Sequence, residues 1–291
     1  MPQRQSNPGV HVQRAGWSSR LLLFASLWVF IGWPLCVHAT DKVSSADEVM
    51  KRAIARAKWV EEQNLEAIHA YTRLSVSEQL DDNGAIKERE ELLYHVYPSE
   101  GLPFAELIQK NGAAPTEQDL KKDRERQKKI REKLAQRRQH RDDEDVTLDE
   151  EVVSKYRFEI LRQEAVNGRT AFVLSFEPRS DDLPVRRKVD RFLNKLAGTL
   201  WIDEHDYDIP KLVFHLKESV AVGWGILASF RKFDVSFEQI RTTSGVWFPS
   251  RIDAYIDGRV LFKSFHVRQR EQMSDFRTVA PETGKGTPAT K

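Results

Sequence analysis

The stretch whose composition best suits a metal ion is Asp203-Glu204-His205-Asp206-Tyr207-Asp208. Oxygen-rich loops of this kind hold calcium. These six residues lie between Leu200-Trp201-Ile202 and Ile209-Pro210-Lys211, where a hairpin turn is expected and polar side chains are free to meet water. They lack the alternating ligands, the glycine and the terminal bidentate glutamate of a helix-loop-helix calcium site, so no metal is expected. His69, His95, His215 and His266 stand singly on strands or their edges, with no His-Glu-x-x-His pair. The one cysteine, Cys36, sits near the N-terminus. No Gly-x-Ser-x-Gly elbow presents a serine. Gly284-Lys285-Gly286-Thr287 has Val279 where a phosphate loop needs its first glycine, and Gly223-Trp224-Gly225 lacks a third glycine. No cofactor is expected, and the chain is read as a non-enzyme, although a triad dispersed along the sequence would leave no local motif.

The chemistry that remains is apolar burial. Between Tyr156 and Phe265 the chain reads as strands with one apolar and one charged face, because successive strand residues point to opposite sides. Phe172, Leu174 and Phe176 share a side, as do Leu212, Phe214 and Leu216. A sheet with such a face must cover it with another sheet, with helices or with a ligand. The inward face is expected to comprise Phe172, Leu174, Phe176, Leu200, Ile202, Leu212, Phe214, Phe237 and Trp247. The apolar stretch Ser219–Phe230 occupies a connection that would ordinarily be polar. It either folds into the core or forms a gate in which Trp224 touches an acyl chain.

The elements that position these residues follow from periodicity. Ala46, Val49, Ala53, Ile54, Ala57 and Val60 have helical spacing, with Ser44 or Ser45 as cap. Strands are expected over 70–80 and up to Tyr97-Pro98, joined at Asp81-Asp82-Asn83-Gly84, before Gly101-Leu102-Pro103 breaks the pattern. Asn167-Gly168 joins strands 156–166 and 170–178. Val189, Phe192, Leu193 and Leu196 predict a short amphipathic helix over 186–196. Further strands are expected at 199–203, 209–218, 233–242, 246–256 and 260–269, with turns at Ser244-Gly245 and Asp257-Gly258. The sum is an α+β, mainly β chain. About nine strands form a strongly curved antiparallel sheet, a half-open barrel, with helices across the concave face and a charged helical insertion.

Residues 1–39 carry Arg4, Arg14 and Arg20, an apolar run from Leu21 to Gly32 and Val37-His38-Ala39 as cleavage site, the pattern of a secretory signal peptide. An uncleaved anchor is the other reading, disfavoured by Pro34 and by a run shorter than the roughly 20 residues a span needs. Removing those three arginines from 46 basic residues leaves 43 against 44 acidic ones. That near-neutral balance gives no reason to expect nucleic acid. The domain is expected over 40–276, followed by a disordered tail over 277–291. Within the insertion at 111–151, residues 121–141 hold 11 basic and 3 acidic side chains, and residues 142–151 hold 7 acidic ones. Leu120, Ile130 and Leu134 form a thin coiled-coil-like seam. The segment reads as a solvated helix, or as an arm for an anionic membrane surface or an envelope protein partner through 117–145.

Leu196-Ala-Gly-Thr-Leu-Trp-Ile-Asp203, Ile209-Pro-Lys-Leu212, Gly245-Val-Trp-Phe-Pro249 and Asp257-Gly-Arg-Val-Leu-Phe262 together resemble secreted bacterial proteins of the outer-membrane lipoprotein-carrier (LolA-like) superfamily. The resemblance runs from about Val49 to Phe276, and the insertion departs from it. It implies a half-open barrel with helices as a lid, and in the carriers the apolar groove holds lipoprotein acyl chains. The expectation is a periplasmic or secreted protein, cleaved near Ala39, that binds a lipid, an acyl chain or an acylated protein. The alternative is an envelope scaffold or sensor that uses its insertion for protein contacts.

Overall fold

A computed structural model describes residues 45–63, 69–99, 102–139, 146–222, 228–243 and 245–279, with the side chains of 222 and 133–139 left aside. All belong to one compact unit. The expected signal peptide, Trp224 and most of the terminal tail lie outside the described residues. No helix among them is long and apolar enough to cross a membrane.

The chain begins with α1 (Ala46–Gln63), where the Ser45 hydroxyl accepts the Glu48 N–H at 3.3 Å as the expected cap. There follow β1 (His69–Leu80), β2 (Ile86–Ser99), β3 (Leu102–Lys110), α2 (Glu117–Gln139), α3 (Glu150–Ser154), β4 (Tyr156–Val166), β5 (Arg169–Pro178) and α4 (Asp190–Leu193). The last part comprises β6 (Leu196–Asp203), β7 (Lys211–Leu216), β8 (Val220–Val222), β9 (Ala228–Arg241), β10 (Trp247–Val260) and β11 (Lys263–Thr278). The strands form one antiparallel sheet in the order β3-β2-β1-β11-β10-β9-β7-β6-β5-β4, with β8 paired to β9. β3 and β4 are its edges, so the sheet is not closed into a barrel.

The mainly β, open-sheet architecture is as expected, with four differences in the elements. Among the described residues eleven strands form rather than about nine. β3 went unforeseen because Pro103 reads as a breaker, yet it sits opposite Pro98 on the sheet's edge strand, where a missing N–H costs little, and β8 because it falls within the apolar stretch read as a connection. The helix expected over 186–196 shrinks to α4. The Asp190 carboxylate accepts the Arg186 and Arg187 N–H groups at 2.9 Å and ties the segment down, while Leu196 is drawn into pairing with Leu216. The turn expected at Asp257-Gly258 moves to Leu261-Phe262, because Gly258 is needed inside β10. A β-carbon there would lie 2.7 Å from the Ser229 carbonyl oxygen and 2.8 Å from the Phe265 ring, so glycine is what lets that ring lie on the strand. Finally, β11 runs to Thr278, beyond the expected domain end at 276.

The Asn167-Gly168 hairpin forms as read, with φ of +51° and +76° at its two central residues.

Candidate functional site

Cross-strand pairs share a face, so the register traces one side of the sheet from residue to residue. Phe172 opposes Ile202, Leu174 opposes Leu200, and Leu200 opposes Leu212. Leu212 then opposes Phe237, Phe214 opposes Val235, and Phe237 and Val235 oppose Ile252 and Ala254. Phe233 meets Ile256, which meets Val267. The expected apolar face is therefore continuous across β5, β6, β7, β9 and β10.

Helices cover its two flanks. Val49, Met50 and Ala53 of α1 pack onto Phe172, Leu174, Leu200 and Ile202, with Phe176 and Leu212 at the margin of that cluster. Polar contacts hold α1 in place. Arg52 donates to the Tyr207 hydroxyl at 2.8 Å, and Arg56 is paired to Asp208 at 2.6 Å. At the other flank α2 lies over β2 and β3, with Leu120 against the cluster of Leu92, Tyr94, Val96, Ala105 and Leu107. The Tyr94 hydroxyl meets Asp123 at 3.1 Å, and Lys110 pairs with Asp119 at 2.8 Å.

Between these flanks runs a strip that neither buried cluster includes. It consists of Phe214 on β7, Phe233, Val235 and Phe237 on β9, and Ile252, Ala254 and Ile256 on β10, every one of them half-buried. Three adjacent strands put its outer rows about 10 Å apart, and the five residues from Ile252 to Ile256 on β10 give it a length of about 14 Å. At one end Phe192, Phe230 and Phe265 continue it, with ring centroids 5.2 and 6.1 Å apart. Beyond β10 it turns polar, since Ala254 and Ile252 oppose Gln269 and Glu271, and these oppose Ser77 and Ser75.

Of the ten expected groove residues, Phe172, Leu174, Leu200 and Ile202 are closed off beneath α1. Phe176 and Leu212 edge that cluster, and Phe214 and Phe237 lie on the strip. Trp247 is buried, its indole N–H donating to Asp206 at 3.1 Å. Phe233, Val235, Ile252 and Ile256 belong to the same surface and were not singled out. Their signal was present, since both runs alternate apolar and polar residues.

The opposite face of the same strands is charged. Glu78, buried on β1, accepts from Arg268 at 3.2 Å and from Arg270 at 2.8 Å. A shallow groove of about 500 Å³ there is lined by Val213, His215, Asp234, Asp253, Tyr255 and Arg268.

The acidic turn 203–208 is a structural knot. Arg169 grips both oxygens of Asp203, at 2.5 and 2.6 Å, and reaches Asp206 at 3.3 Å. Burial pushes the Asp203 carboxyl up, but Arg169 and the N–H groups of His205 and Asp206 outweigh it and leave the pKa at about 2. Burial raises Asp208 more than Arg56 can offset. Among the described residues no three His, Cys, Asp or Glu side chains are arranged to hold a metal ion. A second knot joins α3 to α4. The Lys155 ammonium lies 2.5 Å from Asp190, both buried, and the Tyr156 hydroxyl donates to the Leu193 carbonyl. Burial pushes Asp190 up, and Lys155 with the N–H groups of Arg187 and Arg186 brings it down to about 2.

No family model matches the sequence, and no curated protein is similar to it at a significant level. Among solved structures, the chain is similar to an outer membrane lipoprotein-sorting protein domain from Vibrio parahaemolyticus. That match has 14% identity and a TM-score of 0.32, and covers 83% of this chain and 95% of that one. It is similar to a DUF1329 family protein from Desulfovibrio piger, at 9% identity and TM-score 0.31, over 81% and 95% of the two chains. It is similar also to a LolA superfamily protein from Nitrosomonas europaea, at 12% identity and TM-score 0.26, over 79% and 93%.

Proposed function

We propose that the strip between α1 and α2 holds the hydrocarbon chain of a lipid or acylated protein, and that the chain acts as a non-enzymatic binder in the cell envelope after export. One observation carries this reading. Seven half-buried apolar side chains line a surface about 10 by 14 Å, flanked by a helix-covered core on one side and polar residues on the other. A long, narrow apolar strip with a polar bank fits an extended chain. Its driving force is area removed from water, about 25 cal/mol per Å², or roughly 0.8 kcal/mol for each buried methylene.

Affinity therefore rises with acyl-chain length until the strip is filled. Displacement of a fluorescent fatty acid by saturated acids of 8 to 18 carbons measures this, and equal affinities across the series would sink the reading. Val235→Asp places a carboxylate in the middle of the strip on a half-buried position. It should weaken binding at least tenfold, with melting temperature little changed.

A second reading, an envelope scaffold or sensor that contacts protein through residues 117–145, is favoured by a cleft of about 840 Å³ between α2 and the β2–β3 edge. Tyr97, Phe104, Leu120, Arg124, Lys128 and Arg131 line it. Reversing the charges of Arg124 and Lys128 separates the two. Acyl-chain affinity is unchanged by that substitution if the strip is the site.

A further inference from the structure

The connection between β10 and β11 departs from the pattern of two Asn-Gly turns in the same chain. Asn111-Gly112 and Asn167-Gly168 place the two residue types that best tolerate positive φ where the backbone requires it. The β10–β11 hairpin is equally tight, with Val260 opposite Lys263, yet its two turn residues are Leu261 and Phe262. Leu261 adopts φ of +53°, a conformation that disfavours a residue with a large side chain. Phe262 is 93% exposed, Leu261 51% and Val260 48%. Three consecutive apolar side chains thus project into water from a backbone that their own sequence does not favour. None of the three belongs to a buried apolar cluster. A local rule broken at an exposed tip points to function.

We infer that this tip is a finger that dips into the interfacial layer of an anionic lipid bilayer. Lys263, exposed and next in the chain after the apolar residues, would lie at headgroup level when Leu261 and Phe262 enter the acyl boundary. On its β1 side the tip extends beyond the neighbouring ladder. Pairing of β11 with β1 ends at Leu80 opposite His266, three residues short of the turn end at Lys263, so the hairpin projects past the β1–β2 turn. The acidic groups at this end of the sheet are engaged lower down. Asp257 pairs with Arg231 at 2.6 Å, Asp82 lies 3.2 Å from His266, and Asp81 accepts N–H groups of its own turn.

Co-sedimentation of the full chain with vesicles of phosphatidylglycerol and phosphatidylethanolamine, against vesicles of phosphatidylcholine, tests the inference. Leu261→Asn with Phe262→Gly installs the turn sequence the fold already uses, so folding is preserved while the finger is removed. The expected result is partition of the wild type onto the phosphatidylglycerol vesicles and a loss of at least tenfold in the double variant, with melting temperature equal or higher. Lys263→Glu should weaken partition several-fold on phosphatidylglycerol alone. Equal partition of wild type and double variant, or no partition of the wild type above background, would overturn it. So would a drop in melting temperature large enough to show that Leu261 and Phe262 serve the fold. Fatty-acid displacement by the double variant stays at the wild-type level, so this inference and the acyl-chain reading fail separately.

Discussion

At the scale of single residues, the most consequential is Gly258. Its missing side chain is the space in which the Phe265 ring lies, and that ring closes the aromatic end of the strip. Gly258→Val should overpack this contact and cost about 1–3 kcal/mol by chemical denaturation. Adding Phe265→Ala should recover part of the loss, the sign of a shared contact. The Lys155–Asp190 pair makes a different prediction. Asp190→Ala leaves a buried ammonium without its partner, a loss of about 3–5 kcal/mol. The pH dependence follows in sign. Asp190 and Asp203 are held near 2 against an ordinary 3.8, so between those values the unfolded chain binds more protons than the folded one. Stability contributed by these carboxylates is full above about pH 4 and is lost as the pH falls toward 2. Urea midpoints measured from pH 5 to 2 should show this slope, and Asp190→Asn should flatten it. The acidic turn 203–208 was legible as a turn, and its ion-pair partners were not. Arg169 is reached across a ladder and Arg56 comes from a helix about 150 residues earlier, separations that no local spacing encodes.

At the scale of elements, α1 decides how much of the apolar face is core. Met50→Ala should destabilise by about 2–5 kcal/mol while leaving acyl-chain affinity unaltered, because Met50 packs over Phe172 and Leu174 and not over the strip. Denaturation and ligand displacement on the same variant check both halves. α1 itself was legible, cap included, because an 18-residue amphipathic helix repeats its signal over five turns. α4 was not, since four residues carry too little period to compete with the pull of Leu196 into β6. β3 was hidden by Pro103 and is tolerated because it lies at the sheet edge. The alternation that exposes Phe214 and Phe237 to the strip also places Leu174 and Leu200 under α1. Which residues a helix covers is settled by contacts between distant parts of the chain, so the apolar face could be read from sequence and the division between covered and open parts could not.

At the scale of the whole molecule, the strand order carries its own consequence. β1 and β11 are the first and last strands in sequence, yet they lie side by side in the sheet, with His69 opposite Thr278 and Leu80 opposite His266. This seam joins β3-β2-β1, with its helix α2, to the remainder of the sheet. Among the described strands it is the ladder with the widest sequence separation, and long-range pairing slows folding to the millisecond-to-second range. A chain still being synthesised carries β1 as an exposed edge until β11 arrives. That edge is a template for the wrong partner, and the seam therefore makes completion of the sheet wait on its final strand, leaving β1 open to mispairing until then.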